Sequence, residues 1–166
     1  MTTETPGRAW LLGDDVDTDQ LAPGPYLKAP LDELARHCME ATRPDFASGV
    51  APGDVVVGGR NFGLGSSREQ AAQVLHHLGV AAVLANSFGG IFYRNALNFG
   101  LLALVCPELG TIQAGDRLAI DAEAATVRNL TRDESYATEP VPPHLLAMVR
   151  DGGLVPHLEK RLQQPS

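Results

Sequence analysis

Apolar and polar positions alternate along this chain in blocks short enough to name. Arg8 to Leu12 is a brief apolar run that stops at Gly13, and Asp14 to Asp19 then carries four acids in six residues, a strand followed by a loop. Pro23-Gly24-Pro25 keeps the next stretch irregular. Leu31, Leu34, Ala35, Cys38 and Met39 recur at helical spacing and predict a helix over 31–41. Arg43 to Asp54 reads as a loop that closes on the turn signal Pro52-Gly53-Asp54.

The most regular part follows. Val55-Val56-Val57 is a β-branched strand, and Gly58 to Gly65 holds four glycines in eight residues. Ser67 to Leu78 is helical, with Ala71, Val74, Leu75 and Leu78 on one face and Gly79 as its cap. Val80 to Ala85 is a second buried strand, and Asn86 to Gly90 a second polar, glycine-bearing loop. Ile91 to Phe99 is a helix ended by Gly100, and Leu101 to Val105 a third strand. This is a βαβαβ run, which implies a largely parallel core. Beyond Pro107 the pattern changes. Arg117 to Ile120 and Thr126 to Leu130 pair as strands after the Ala114-Gly115-Asp116 turn, Pro143 to Val149 is a short helix, and Leu154 to Leu162 adds a last one. Gln163 to Ser166 is expected to fray. One α/β domain spanning residues 1–166, with a mixed sheet, is the simplest account.

Composition narrows the function classes. The chain has 166 residues and a net charge of −7, which argues against nucleic acid, whose binding rests on Lys and Arg neutralising phosphates. A few local cations can still bind a small anion. No apolar run reaches the roughly 18 residues that span a bilayer, and Met1 to Gly7 lacks a signal-peptide core, so the expected location is cytoplasmic. Cys38 and Cys106 are too few for a disulfide framework or for the usual ligand set of an iron–sulfur cluster. The histidines 37, 76, 77, 144 and 157 show no metal-binding spacing, and His76-His77 suits a helix C-terminus.

The chemistry concentrates in Gly58-Gly59-Arg60-Asn61-Phe62-Gly63-Leu64-Gly65-Ser66-Ser67-Arg68-Glu69, after a strand and before a helix, where open α/β folds bind ligands. A dinucleotide fingerprint fails because Arg68 stands where the third glycine belongs, and no Gly-Lys-Ser/Thr follows to make a phosphate loop. Ser66-x-x-Glu69 satisfies a capping box, which taken alone is the better reading. Arg68 favours the alternative, an anion site. A cation in a helix's first turn opposes the dipole at a cost of ~0.3–1 kcal/mol, which a bound anion would offset. One serine hydroxyl would then face the ligand, and a serine acts as a base only where donors stabilise its alkoxide.

Three blocks together carry a resemblance. Asp17-Thr18-Asp19 with Gly24-Pro25-Tyr26-Leu27-Lys28, then Asn61 to Glu69, then Ser87-Phe88 with Ile91-Phe92-Tyr93-Arg94-Asn95, resemble the small subunit of 3-isopropylmalate dehydratase. The same blocks resemble the swivelling fourth domain of aconitase and the small subunit of homoaconitase. The resemblance implies a single swivelling β/β/α domain of the aconitase C-terminal type and a hydro-lyase active only with a large subunit, as a heterodimer or heterotetramer. It implies a [4Fe-4S] cluster on that large subunit and no cofactor bound by this chain. The substrate is a small carboxylic acid, with isopropylmalate leading and homoaconitate-like or methyl-substituted malates as alternatives. Residue by residue, it implies Ser66 as general base, Ser67 and Arg68 as groups that bind a substrate carboxylate and stabilise that serine, Asp19 as an active-site acid, and Leu27 and Lys28 in the loop that selects the substrate's side group.

Departures bear on that last point. Lys28-Ala29 replaces the usual Arg-Thr, and lysine lacks the bidentate fork. Gly89-Gly90 stands where the family commonly has Ala-Arg, and Leu64 where a cysteine or acid is common. The competing functions are a non-catalytic anion- or nucleotide-binding module and a structural subunit that has lost activity.

Overall fold

The structure is a computed structural model that describes residues 6–164; the polar start Met1 to Thr5 and the last two residues of the expected tail lie outside the described residues. The chain runs β1 (Gly7–Gly13), α1 (Thr18–Leu21), a 3₁₀ turn (Gly24–Tyr26), α2 (Leu31–Arg36), α3 (Phe46–Gly49), β2 (Val55–Gly58), α4 (Gln70–His77), β3 (Ala82–Ala85), α5 (Gly90–Asn98), β4 (Leu102–Val105), β5 (Arg117–Asp121), β6 (Thr126–Asn129), β7 (Glu134–Ala137), α6 (Pro143–Arg150) and α7 (Leu154–Gln163). One seven-stranded sheet has the order β4-β3-β2-β1-β5-β6-β7. The half from β4 to β1 is parallel, and β1 to β7 through β5 and β6 is antiparallel. The expected βαβαβ run is β2-α4-β3-α5-β4.

Alternate residues of the parallel strands feed two core clusters. Val56, Val83 and Ala103 join Ala71, Val74 and Leu75 of α4 and Leu34 and Phe46 of the first helices. Val55, Val57, Ala82, Leu84, Leu102 and Leu104 join Leu146, Met148 and Val149 of α6. Both faces are covered, which is why these strands read as continuous apolar runs and not as alternating ones. The antiparallel strands bury one face only, and Leu118, Ile120, Val127 and Tyr136 add it to the second cluster.

Several boundaries differ from the sequence expectation, each for a tertiary reason. The helix predicted over 31–41 ends at Arg36 because Met39 turns left-handed (φ 63°) and its N–H donates to the Gln20 carbonyl at 2.8 Å. The helix predicted from Ser67 starts at Gln70. Strand β7 and the short helices α1 and α3 have no counterpart in the sequence expectation. The last helix extends one residue further than expected, to Gln163.

Away from the loops that follow the parallel strands, Asp54 ties the start of β1 to the turn before β2. Its buried carboxylate accepts from Arg8 N (3.3 Å), Trp10 Nε1 (2.9 Å), Ala51 N (2.9 Å) and the Arg8 guanidinium (3.0 Å). Burial opposes its ionisation, but these donors outweigh burial and hold its pKa below the usual value. Asp54→Ala leaves the Trp10 and Ala51 donors without this acceptor and is expected to cost about 2–4 kcal/mol in a denaturant titration. Because the folded pKa is depressed, the wild type holds this contribution above about pH 4 and loses it as pH falls through the folded pKa, so the two proteins' stabilities converge in acid.

Candidate active site at the ends of the parallel strands

The loops after β1, β2 and β3 lie side by side in the same order as their strands, and backbone bonds continue between them where the sheet stops. From the central loop, Gly59 N donates to Gly13 O (2.8 Å) and Gly63 N to Val16 O (2.6 Å) on one side. The β1 loop answers with Asp15 N to Arg60 O (2.8 Å) and Thr18 N to Leu64 O (2.9 Å). On the other side Phe62 N donates to Ser87 O (3.0 Å), and Gly89 N returns to Phe62 O (2.9 Å). Side chains lock the same crossing. Ser87 Oγ accepts from Asn61 N (2.8 Å), Asp14 accepts from Arg60 N (2.7 Å), and Phe62 packs edge-on to Phe88 and Phe92 beneath the loop.

Such close passage needs glycine at particular positions. Gly63 is left-handed (φ 82°), and a Cβ there would overlap Phe92 at its Cβ and Cγ. A Cβ at Gly89 would lie 2.8 Å from Gly63 O, whereas one at Gly90 meets nothing within 4 Å. The first glycine of the departing pair is thus demanded by this backbone and the second is not.

The segment Asp17-Thr18-Asp19-Gln20 divides its labour by position. Asp17 Oδ1 accepts from Gln20 N (2.8 Å) while Gln20 Oε1 accepts from Asp17 N (2.9 Å), a reciprocal capping box that starts α1. Thr18 and Asp19, between the caps, turn to the β2 loop. Thr18 Oγ1 lies 3.3 Å from Ser66 Oγ, and Asp19 Oδ1 accepts from Arg68 Nη1 at 2.6 Å. Arg68 Nη1 also donates to the Ala22 carbonyl (3.0 Å), and the Arg68 hydrogen bond holds the Asp19 carboxyl below its usual pKa.

The capping box expected at Ser66-x-x-Glu69 is absent: Glu69 is the N-cap of α4 and makes no side-chain cap. Arg68 stands before the helix and not in its first turn. Its N–H instead donates to Ser66 O at 2.9 Å, a three-residue turn that holds Ser67 at its apex with its side chain exposed. Arg68 therefore does not oppose the dipole from within the first turn, and Asp19 and the Ala22 carbonyl fix its place. Among the described residues Nε and Nη2 of Arg68 make no hydrogen bond, which leaves part of the fork for an anion.

Four of the sequence-marked residues, Ser66, Ser67, Arg68 and Asp19, form one group, with Arg68 half-buried and the other three exposed, and the 3₁₀ turn approaches its edge. A Cβ on Gly24 would sit 3.7 Å from Asp19 Oδ1. Leu27 is half-buried against the first core cluster, and Lys28 is exposed with no ion pair among the described residues. Tyr26 stacks on His37, its ring centroid 3.6 Å away, and does not join the group. Arg94 is exposed, while half-buried Tyr93 has its pKa raised by burial and by Glu139. His77 pairs with Asp32 at 2.7 Å. Thr18 carries no spacing signal of its own, because its partner Ser66 lies 48 positions away.

The family model described as the aconitase C-terminal domain matches residues 50–109. The small subunit of 3-isopropylmalate dehydratase (subunit 1) of Thermotoga maritima is 46% identical over 156 residues, 93% of this chain and 94% of that one. This chain belongs to that small-subunit family. The small subunit of the methanogen homoaconitase of Methanothermobacter thermautotrophicus is also similar, 49% identical over 157 residues, 94% of this chain and 91% of the relative. The crystal structure of 3-isopropylmalate dehydratase from Methanocaldococcus jannaschii superposes with a TM-score of 0.90 at 41% identity, covering 98% of this chain and 96% of that one. The fold is accordingly that of the aconitase C-terminal domain, a mixed sheet flanked by helices.

Family membership raises the question of an iron–sulfur cluster, and this chain's residues do not fit one. Cys38 and Cys106 are fully buried in different core clusters, and burial pushes the Cys38 thiol up to about 12. Among the described residues no three His, Cys, Asp or Glu side chains are grouped to hold a metal ion. No described helix is long and apolar enough to cross a membrane.

The loop crossing makes a paired prediction. Gly63→Ala must relieve both a positive φ and the Phe92 overlap, and should cost about 2–5 kcal/mol of unfolding free energy. Gly90→Ala, in the open first turn of α5, should be neutral or stabilising by up to about 1 kcal/mol. Equal losses in denaturant titrations of the two would contradict the crossing geometry.

Proposed function

We propose that this chain is a single swivel-type domain serving as the small subunit of a cytoplasmic, two-subunit [4Fe-4S] hydro-lyase that interconverts 2- and 3-isopropylmalate. The observation that carries the reading is the convergence of Ser66, Ser67, Arg68 and Asp19 at the rim of a rigid loop crossing, in a chain of this family. The cluster resides on the large subunit, in a heterodimer or heterotetramer, and the small subunit supplies the base and the anion site.

In this reading the substrate carboxylate takes the unbonded edge of the Arg68 guanidinium and the Ser67 hydroxyl. Asp19 and Ala22 O hold that guanidinium still, so its orientation is set before substrate arrives. Ser66 Oγ, as the alkoxide, takes the proton from the carbon beside the carboxylate. The C–H electron pair becomes the new C=C bond, hydroxide leaves the neighbouring carbon, and rehydration in the opposite sense completes the isomerisation. Leu27 faces the alkyl substituent, and Lys28 sits at the far end of the same turn.

A second substrate reading has its own support. Lys28 is an exposed cation with no partner among the described residues, and the homoaconitase relative matches the chain over 94% of its length. A longer tricarboxylic acid would place its extra carboxylate on Lys28, where isopropylmalate offers only methyl groups.

Co-expression with the cluster-bearing large subunit should give isopropylmalate isomerase activity, and Ser66→Ala should lower kcat by about 10³-fold or more with the complex intact. Unchanged turnover in Ser66→Ala would remove the base assignment. Lys28→Ala separates the substrates: it should weaken homoaconitate turnover by roughly tenfold or more and leave isopropylmalate within about threefold.

A further inference from the structure

A serine that acts as a base needs donors that stabilise its alkoxide. The resemblance gives that role to Ser67 and Arg68. The geometry places Arg68 Nη1 on Asp19 and Ala22 O instead, and the Ser67 side chain makes no hydrogen bond among the described residues. Among those residues the one hydrogen bond of Ser66 Oγ is with the Thr18 hydroxyl, at 3.3 Å.

Thr18 is built to hold that position. It is 3% exposed, in contrast to Ser66 on the open rim. Its backbone is fixed in both directions, N–H to Leu64 O at 2.9 Å and carbonyl from Ala22 N at 2.9 Å. The caps Asp17 and Gln20 close on each other around it. Gly65, at φ 110°, keeps the approach clear, since a Cβ there would lie 3.1 Å from Thr18 Oγ1 and press on the hydroxyl pair.

We propose that Thr18 is a positioning residue for Ser66, its buried hydroxyl donating to Ser66 Oγ and stabilising the alkoxide. The inference rests on Ser66 being the base. Two neutral hydroxyls can share their bond in either direction, but an alkoxide has no proton to give, so Thr18 must then be the donor. With its hydrogen on that bond, Thr18 leaves the other lone pairs of the exposed Ser66 Oγ for the proton of the substrate carbon. Thr18 keeps its own proton throughout, and the proton taken from carbon ends on Ser66 Oγ. A separation of 3.3 Å is long for two hydroxyls, and the bond is expected to shorten once Ser66 carries charge.

The test uses the small subunit reconstituted with its large subunit, comparing Thr18→Val, Thr18→Ser and Ser66→Ala. Removing one donor to an oxyanion typically lowers kcat by about 10²–10³-fold. Thr18→Val, nearly isosteric, should lower kcat by at least tenfold with KM within about threefold, and should move the alkaline-rising limb of the pH–rate profile to higher pH. Thr18→Ser should restore both to within a few-fold of wild type. If Thr18→Val fails to assemble, Thr18→Ala against Thr18→Ser makes the same comparison. A Thr18→Val enzyme with wild-type kcat and pH profile, beside an inactive Ser66→Ala, overturns this inference alone. An active Ser66→Ala overturns it together with the base assignment, so the two failures are told apart.

Discussion

Backbone amides and carbonyls of the loop after β2 pair with those of the loops after β1 and β3, and the rest of the site depends on that pairing. The parallel sheet ends at Gly13, Gly58 and Ala85, yet the bonding between neighbouring chains does not. Buried backbone polar groups must find partners, and a glycine-rich segment with Phe62 fully buried beneath it could not stay there without them. Gly63 and Gly89 meet the steric demand, Asn61 takes a left-handed turn (φ 59°), and Ser87 and Asp14 cap amides that the ladder leaves over. Ser66, Ser67 and Arg68 are then displayed at the loop's end, where Thr18, Asp19 and the Ala22 carbonyl meet Ser66 and Arg68.

That arrangement is how an acidic protein of net charge −7 would present the proposed anion site. The field that matters is local. Arg68 is neutralised in part by Asp19, and the pair is largely open to water on the Asp19 side, where screening makes its attraction modest. Its value is directional: Asp19 and the Ala22 carbonyl fix one nitrogen of the guanidinium and so orient the others. The proposed function places specificity for the substrate's side group on the separate turn around Leu27 and Lys28, which nears the site where Gly24 approaches Asp19 and Arg68. Selectivity can therefore vary at Lys28 without disturbing the Ser66 constellation.

Much of this was legible in the residues. Continuous apolar strands separated by helical patterns gave the parallel core, because burial on both faces leaves that mark. The glycine-rich segment reads as the loop that follows a parallel strand, which it is, and Ser66, Ser67, Arg68 and Asp19 do come together. The misplaced feature was a cap. Ser66-x-x-Glu69 and Asp17-x-x-Gln20 offer the same spacing, and only the second forms a box, because Ser66 is drawn off by the pairing of Leu64 with Thr18. Local pattern cannot rank two equivalent candidates when a bond from a residue 46 positions away decides between them. The same holds for α2, shortened by the reach of Met39 to Gln20, and for β7, whose four residues gain their place only from the β6 edge. Thr18 was passed over because nothing in its own neighbourhood marks it; its partner lies across the crossing.

If the three loops form one bonded unit in the free chain, their amides should be slow to exchange with solvent before any substrate or partner binds. Native-state hydrogen exchange measured by NMR on the isolated chain tests this most directly. The amides of Thr18, Phe62, Gly63 and Gly89 are predicted to be protected to within about tenfold of Val56 and Val57 in β2. Exchange at these positions as fast as in the exposed turn around Lys28 would show that the crossing is not preformed, and the account of a site built on it would fail.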